Sequence, residues 1–256
     1  MYRFLGFIFI FLLTSLSAFS ADMRFIQVDS TLLNANNTKA FESLVEKINK
    51  EKNVEFIVFT GNNISSPNKT NLVSFISIAK KLNRPFYVVL GQKDVSKKKL
   101  SKDEYIKILR KKVWSHHNIH SPNYIFKKKN LIFIVADGSK EVIPTAMGYY
   151  KEDVILWLDE QLDNYSDKNV IILQHYPIIP PSNRETHYTY KADDYVQLLS
   201  EHKNVKAVIA GHFGVNKEQS HENILHIATK SAPTYRIIDI LDYETPNPIF
   251  WSTIKE

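Results

Sequence analysis

The chain has 256 residues, 44% of them hydrophobic and 23% charged, with a formal net charge of +6. That length and apolar fraction suffice for one domain with its own core and exclude both a disordered polyelectrolyte and a short stapled scaffold. The absence of cysteine excludes a disulfide framework, a thiolate metal site and a cysteine nucleophile.

The first twenty residues, MYRFLGFIFIFLLTSLSAFS, place Arg3 before an apolar run from Leu5 to Leu13 and then a tail of small residues. This order reads as a signal peptide over residues 1–20, cleaved after Ser20, so residues 21–256 are expected to form one exported domain, periplasmic or secreted. An uncleaved leader acting as a membrane anchor is the alternative, although so short an apolar stretch spans a bilayer poorly. Beyond it, MRFIQV reads as a strand, TKAFESLVEKINK as an amphipathic helix with apolar residues at 41, 44, 45 and 48, EFIVF as a strand, LVSFISIAKKL as a helix and PFYVVL as a strand. The second half gives strands NYIFKK and NLIFIVAD, the helix EDVILWLDEQLDNY with its acidic first turn, the strand NVIILQ and the helix ADDYVQLLSEH. It closes on VKAVIA, the pair NILHIAT and YRIIDILDY, and PIFWSTI. Nearly continuous apolar strands separated by helices indicate an α/β fold, here a two-sheet sandwich with helices on the outer faces and antiparallel strands at its end.

Between two of these strands the charge is concentrated. Residues 93 to 129 hold twelve Lys/Arg against three Asp/Glu, including Lys97, Lys98 and Lys99, then Arg110, Lys111 and Lys112. Such a run is either a solvated surface or a basic face for an anionic ligand or a membrane surface. No nucleic-acid motif accompanies it, and no G-x-S-x-G elbow, P-loop or G-x-G-x-x-G fingerprint is present. The triad His116, His117 and His120 in WSHHNIH has metal-like spacing, but it sits away from the strand ends; His187, His202, His221 and His226 read as surface or core histidines.

In open α/β sheets, ligands bind beyond the carboxyl ends of strands. Those ends carry, in order, Asp29-Ser30-Thr31-Leu32, Gly61-Asn62-Asn63, Gly91-Gln92-Lys93-Asp94, His175-Tyr176-Pro177 and Gly211-His212-Phe213-Gly214. In spacing and flanks the series resembles the calcineurin-like metallophosphoesterases, in particular their cyclic-nucleotide-phosphodiesterase-like branch. The family pattern is D-x-H, G-D-x-x-D, G-N-H-D/E, a lone histidine often followed by proline, and G-H-x-H. VVLGQKDV, ILQHYPIIPP and AGHFGVN match its scaffold, and GYYKEDVILWLDEQL resembles the segment that precedes the lone-histidine strand.

The resemblance implies a metal-dependent phosphoric-ester hydrolase in which two cations activate water and clamp the phosphoryl oxygens. It also implies where this sequence departs. Ser30 and Leu32 stand at the first aspartate and histidine, Asn62 at the bridging aspartate, Gln92 at the asparagine ligand, Lys93 at the catalytic histidine and Gly214 at the last histidine. His175 and His212 remain as metal-ligand candidates, with Asn62 and Asp29 as further ones; Asp29 reaches the site only if its strand ends or bulges there. Asp94, beside the catalytic position, reads as a partner of Lys93 or a turn cap. Replacing anionic ligands with neutral ones disfavours two close dications, so the expected cofactor is none, or one weakly bound Zn, Fe or Mn. The reading is therefore a degenerate phosphoesterase with a binding or scaffolding role. An active phosphoesterase or phosphodiesterase with a reduced or rebuilt metal site is the alternative, and a basic-surface binding protein for anionic ligands is the second.

Overall fold

The structure, a computed structural model, describes residues 23–143, 145–184 and 186–256, so the leader read at residues 1–20 lies outside the described residues. In chain order the elements are β1 (Met23–Val28), α1 (Thr38–Asn49), β2 (Phe56–Phe59), α2 (Lys69–Ala79), β3 (Phe86–Val88), α3 (Lys102–Lys112), a single 3-10 turn (Trp114–His116), β4 (Tyr124–Lys128) and β5 (Leu131–Val135). They continue with α4 (Glu152–Asn164), β6 (Asn169–Leu173), α5 (Asp193–Glu201), β7 (Val205–Ala210), β8 (Lys217–His221), β9 (Ile224–Ala228), β10 (Tyr235–Leu241) and β11 (Ile249–Lys255).

Two sheets result, ordered β11-β10-β1-β2-β3 and β4-β5-β6-β7-β9-β8. β1, β2 and β3 are parallel, as are β5, β6, β7 and β9, while β10 and β11 and the outer strands β4 and β8 pair antiparallel. The side-chain period of two explains why both faces of β5 are apolar: Leu131, Phe133 and Val135 face the other sheet, and Ile132 and Ile134 pack with Leu158 and Leu162 of α4. Between the sheets, Phe25 stacks on Phe56 at 4.9 Å between ring centroids and Phe126 on Phe133 at 5.0 Å, with Phe56 edge-on to Phe133 at 5.1 Å. Gln27 is a fully buried polar residue in β1: its amide donates to Ala210 O at 2.8 Å, tying the two sheets together where they open toward the site.

The α/β two-sheet sandwich agrees with the expectation from sequence, and α1 buries Phe41, Leu44, Val45 and Ile48 as its spacing indicates. Three details differ. β9 and β10, read as neighbours, belong to different sheets, because β9 pairs parallel with β7 and β10 antiparallel with β1. β8 has no apolar alternation and lies at an exposed sheet edge, so nothing in KEQSH marks it. α3 was absorbed into the basic segment although it carries a capping signal: the Ser101 hydroxyl accepts from the Glu104 backbone N–H at 3.2 Å, with acidic residues in the first turn and basic ones in the last.

Candidate functional site

The carboxyl ends of β1, β2 and β3 in one sheet and of β6 and β7 in the other open on the same end of the sandwich. There the backbone adopts left-handed conformations at non-glycine residues: Ser30 and Leu32 at φ 48°, Asn62 at φ 51° and His212 at φ 61°. Such conformations are uncommon outside glycine and cluster at functional turns. They let the first two loops zip together, with Ser30 N donating to Gly61 O, Leu32 N to Asn62 O and Leu33 N to Asn63 O, each at 3.0 Å. Gly211 is required sterically, since a Cβ there would lie 1.7 Å from Asp29 Oδ1.

β1 ends at Val28, and Asp29 makes only an isolated bridge to Ser231, so its side chain turns inward. Its carboxylate, fully buried, accepts from the Thr60 hydroxyl at 3.1 Å and from the His212 backbone N–H at 3.0 Å, and lies 3.6 Å from His175 Nδ1. His175 Nδ1 is 2.5 Å from Thr60 O and its Nε2 is 3.1 Å from Gln92 Oε1, so both ring nitrogens face acceptor oxygens, to which a protonated nitrogen donates. By the same reasoning His212 Nε2 donates to Ala146 O at 2.7 Å. The Gln92 carboxamide lies between the two rings: its Oε1 is 3.1 Å from His175 Nε2 and accepts from Tyr176 OH at 3.2 Å, and its Nε2 is 3.5 Å from His212 Nδ1, which accepts. The His175 and His212 rings are 4.5 Å apart. Burial, with the nearby His175 second, pushes His212 down to about 2, so it stays neutral at ordinary pH.

Asp94 does not pair with Lys93. Fully buried, it accepts from Ile64 N at 3.0 Å, Gly91 N at 2.8 Å and the Asn63 amide at 3.1 Å, clipping the loop after β2 to the loop after β3, while Lys93 is exposed. Desolvation raises the Asp94 carboxyl to about 7, against the three hydrogen bonds that favour its charged form. The lysine is turned out because its own N–H donates to Asn62 Oδ1 at 3.0 Å. His187, read as a surface or core residue, instead stacks over His212 at 5.0 Å, and Arg184 lies over the Phe213 ring at 4.5 Å. Both sit in a loop without any family motif, and no sequence signal pointed to them.

The other histidines are elsewhere. His116 is buried among Phe86, Tyr87 and Tyr124, and burial pushes it down to about 3, while His117 and His120 are exposed. They do not share a site. His202 pairs with Asp159 at 2.7 Å, and His226 is buried in β9. Among the described residues no group of three His, Cys, Asp or Glu is placed to hold a metal ion.

These residues do not fit a two-cation centre. Where the resemblance implies a bridging carboxylate stands Asn62, a neutral amide whose oxygen is already engaged by Lys93 N. Asp29, whose carboxylate lies 3.6 Å from His175 Nδ1, accepts a hydrogen bond on each oxygen. Two close dications need anionic ligands between them, and an amide wedged between two imidazoles supplies no charge.

Two facing sheets with histidines at the ends of adjacent parallel strands define the metal-dependent phosphoesterase class of α/β sandwich. The calcineurin-like phosphoesterase family model matches residues 26–216, and the chain belongs to that family. It is 23% identical over 204 residues to a probable glycerophosphodiester phosphodiesterase GpdQ of Arcobacter nitrofigilis, a match covering 78% of this chain and 71% of the relative. Among solved structures, a dimetal phosphatase from Danio rerio superposes with a TM-score of 0.69 at 12% identity, over 90% of this chain and 99% of the other. GAP50 of Plasmodium, an anchor in the inner membrane complex, superposes with a TM-score of 0.59 at 15% identity, over 93% and 90% of the two chains. At these identities the structural likeness speaks for the fold.

Proposed function

We propose that this chain is an exported, degenerate calcineurin-like phosphoesterase that has lost two-metal hydrolysis and works as a binding or scaffolding module. The observation that carries this reading is Gln92, whose carboxamide lies between the two imidazoles at 3.1 and 3.5 Å, together with Asn62 in place of the bridging carboxylate. Export rests on the leader sequence alone. The test is hydrolysis of bis-p-nitrophenyl phosphate with added Mn²⁺, in parallel with a variant carrying Ser30→Asp, Leu32→His, Asn62→Asp, Gln92→Asn, Lys93→His and Gly214→His. The native chain should give no metal-dependent rate above buffer, whereas the variant should regain Mn²⁺ binding before it regains turnover, because alignment to within about half an ångström also needs supporting partners. Gly214 has open space around it but a φ of 79°, so histidine there is limited by backbone strain of about 1 kcal/mol, not by collision. Metal-dependent turnover by the native chain would overturn the proposal.

One arrangement favours the second reading, a reduced site for a single ion. His175 Nε2 and His212 Nδ1 face the same amide, so an outward swing of Gln92, with His175 Nε2 deprotonated, would leave two imidazole nitrogens converging beside Asp29. Zn or Fe suits nitrogen donors better than Mn does. One equivalent of metal lost in His175→Ala, with none lost in Lys93→Ala, would select this reading.

A further inference from the structure

The basic run that looks continuous in sequence is divided by the fold. Lys102 at the start of α3 reaches Asp137 Oδ2 at 2.6 Å and Ser139 O at 2.7 Å, just beyond the carboxyl end of β5, and Lys97 N donates to Glu141 O at 2.9 Å. Lys97, Lys98 and Lys99 therefore belong to the end of the sandwich that holds the candidate site. Eleven helical residues later, about 16 Å along the axis, α3 finishes near the opposite end, where Ser115 Oγ donates to the carbonyl of Phe86, the first residue of β3. The turn between β4 and β5 lies at that same remote end, because β5 runs from Leu131 toward the site.

Three features meet there. Between Glu104 and Asp137 the chain has seven Lys/Arg and no acidic residue, and Lys111, Lys112, Lys127 and Lys129 are exposed. Trp114, immediately after α3, is 85% exposed, the largest exposure among the outlying apolar side chains. Finally, β1 begins at this end, so the segment preceding Met23, with its apolar run from Leu5 to Leu13, joins the fold at the same pole. No helix among the described residues is long and apolar enough to cross a membrane.

We propose that this pole is a docking surface for an anionic lipid bilayer, with Lys111, Lys112, Lys127 and Lys129 on the headgroups and the Trp114 indole seated at the interface. Lysines alone would fit any polyanion. An exposed indole beside them fits the headgroup boundary, where an amphipathic ring has both an apolar and a polar neighbour, and in a chain whose leader stays uncleaved the apolar run Leu5 to Leu13 would join the fold at the same pole. The docked orientation turns the His175–His212 end away from the bilayer. The surface is separate from that site, and its failure would leave the phosphoesterase reading untouched.

The test is co-sedimentation of the full chain with phosphatidylcholine vesicles, pure or containing about 30 mol% phosphatidylglycerol, at about 0.05 and 0.5 M salt. Binding to the pure vesicles measures the contribution of the apolar N-terminal segment, and the increment with phosphatidylglycerol measures the basic pole. That increment should disappear at high salt and fall at least about tenfold when Lys111, Lys112, Lys127 and Lys129 are all changed to Glu. It should be unchanged when Lys97, Lys98 and Lys99 are changed to Glu. Quenching of tryptophan fluorescence by lipids brominated near the headgroup should be lost in Trp114→Ala and retained in Trp251→Ala, which keeps Trp114. No increment with phosphatidylglycerol would overturn the proposal, as would equal losses from the two sets of reversals or binding to heparin without binding to vesicles.

Discussion

The two sheets have treated their loops differently. The second sheet carries histidines, His175 after β6 and His212 after β7, whereas the first sheet presents Ser30, Leu32, Asn62, Gln92 and Lys93 where the sequence resemblance implies aspartate, histidine, aspartate, asparagine and histidine. The kept imidazoles each have a second occupation: His175 bonds Thr60 O across the gap between sheets, and His212 bonds Ala146 O. The first-sheet loops retain their shape without ligands, because Ser30, Leu32 and Leu33 hold it through backbone bonds to residues 61–63 and Asp94 clips those residues to the next loop. On the proposed reading, a ligand with a structural duty persists in this chain, and one whose partner was the metal does not.

If that is so, the clip should outweigh everything nearby. Asp94→Ala strands three donors in a buried place and should cost about 3–5 kcal/mol by urea denaturation, against a change within about 0.5 kcal/mol for the exposed neighbour Lys93→Ala. Equal effects at the two positions would dissolve the distinction. His175→Ala should cost about 2–4 kcal/mol even in chelator, since it removes a buried ring and its bond to Thr60 O; a histidine kept only for metal would show no loss there.

The pH profile sharpens the same contrast. His212, His116 and His226 are held neutral by burial at about 2, 3 and 4, well below the usual histidine value. Their folded values are depressed, so they support the fold fully above about pH 6.5 and withdraw that support as the pH falls, because the unfolded chain takes up protons that the folded one refuses. Asp94 acts with the opposite sign: with its carboxyl raised to about 7, the folded state holds a proton that the unfolded state has released, and stability drains as the pH rises from about 4 to 7. Melting temperatures across pH 4–8 should show Asp94→Asn removing that falling component while the acid-side loss remains. A steeper fall with rising pH in the variant would reverse the assignment.

The smallest effect concerns the preserved turns. Ser30→Gly, at φ 48° with its N–H bonded to Gly61 O, should leave stability unchanged or raise it by up to about 1 kcal/mol, as the left-handed backbone is freed of its Cβ. Destabilisation by more than that would mean the serine side chain has a role of its own.

The sandwich and the site end were legible because buried parallel strands are apolar on both faces and their polar residues collect at the carboxyl ends. The interior of the site was less so. Asp29 could be placed only once β1 was seen to end at Val28, since a one-residue change in strand length turns the side chain to the other face. Gln92 reads as a substitution at the asparagine-ligand position, and nothing in GQKD tells that its amide would occupy the space between two rings from other loops. Asp94 reads from sequence as a partner of Lys93 or a turn cap; the ion pair is absent and the cap is present, through the Gly91 N–H, whereas the donors from residues 63 and 64 are a tertiary arrangement without a local signature. α3 was readable from Ser101 and Glu104, and missing it made two separate basic clusters look like one.

Metal content tests the central claim most directly. The full chain, purified without chelator and analysed by elemental mass spectrometry alongside Mn²⁺ and Zn²⁺ calorimetry, should hold less than about half an equivalent of any transition metal, because the amide of Asn62 stands where the resemblance implies the bridging carboxylate. About two equivalents that vanish in His175→Ala would contradict the account and restore a two-metal enzyme.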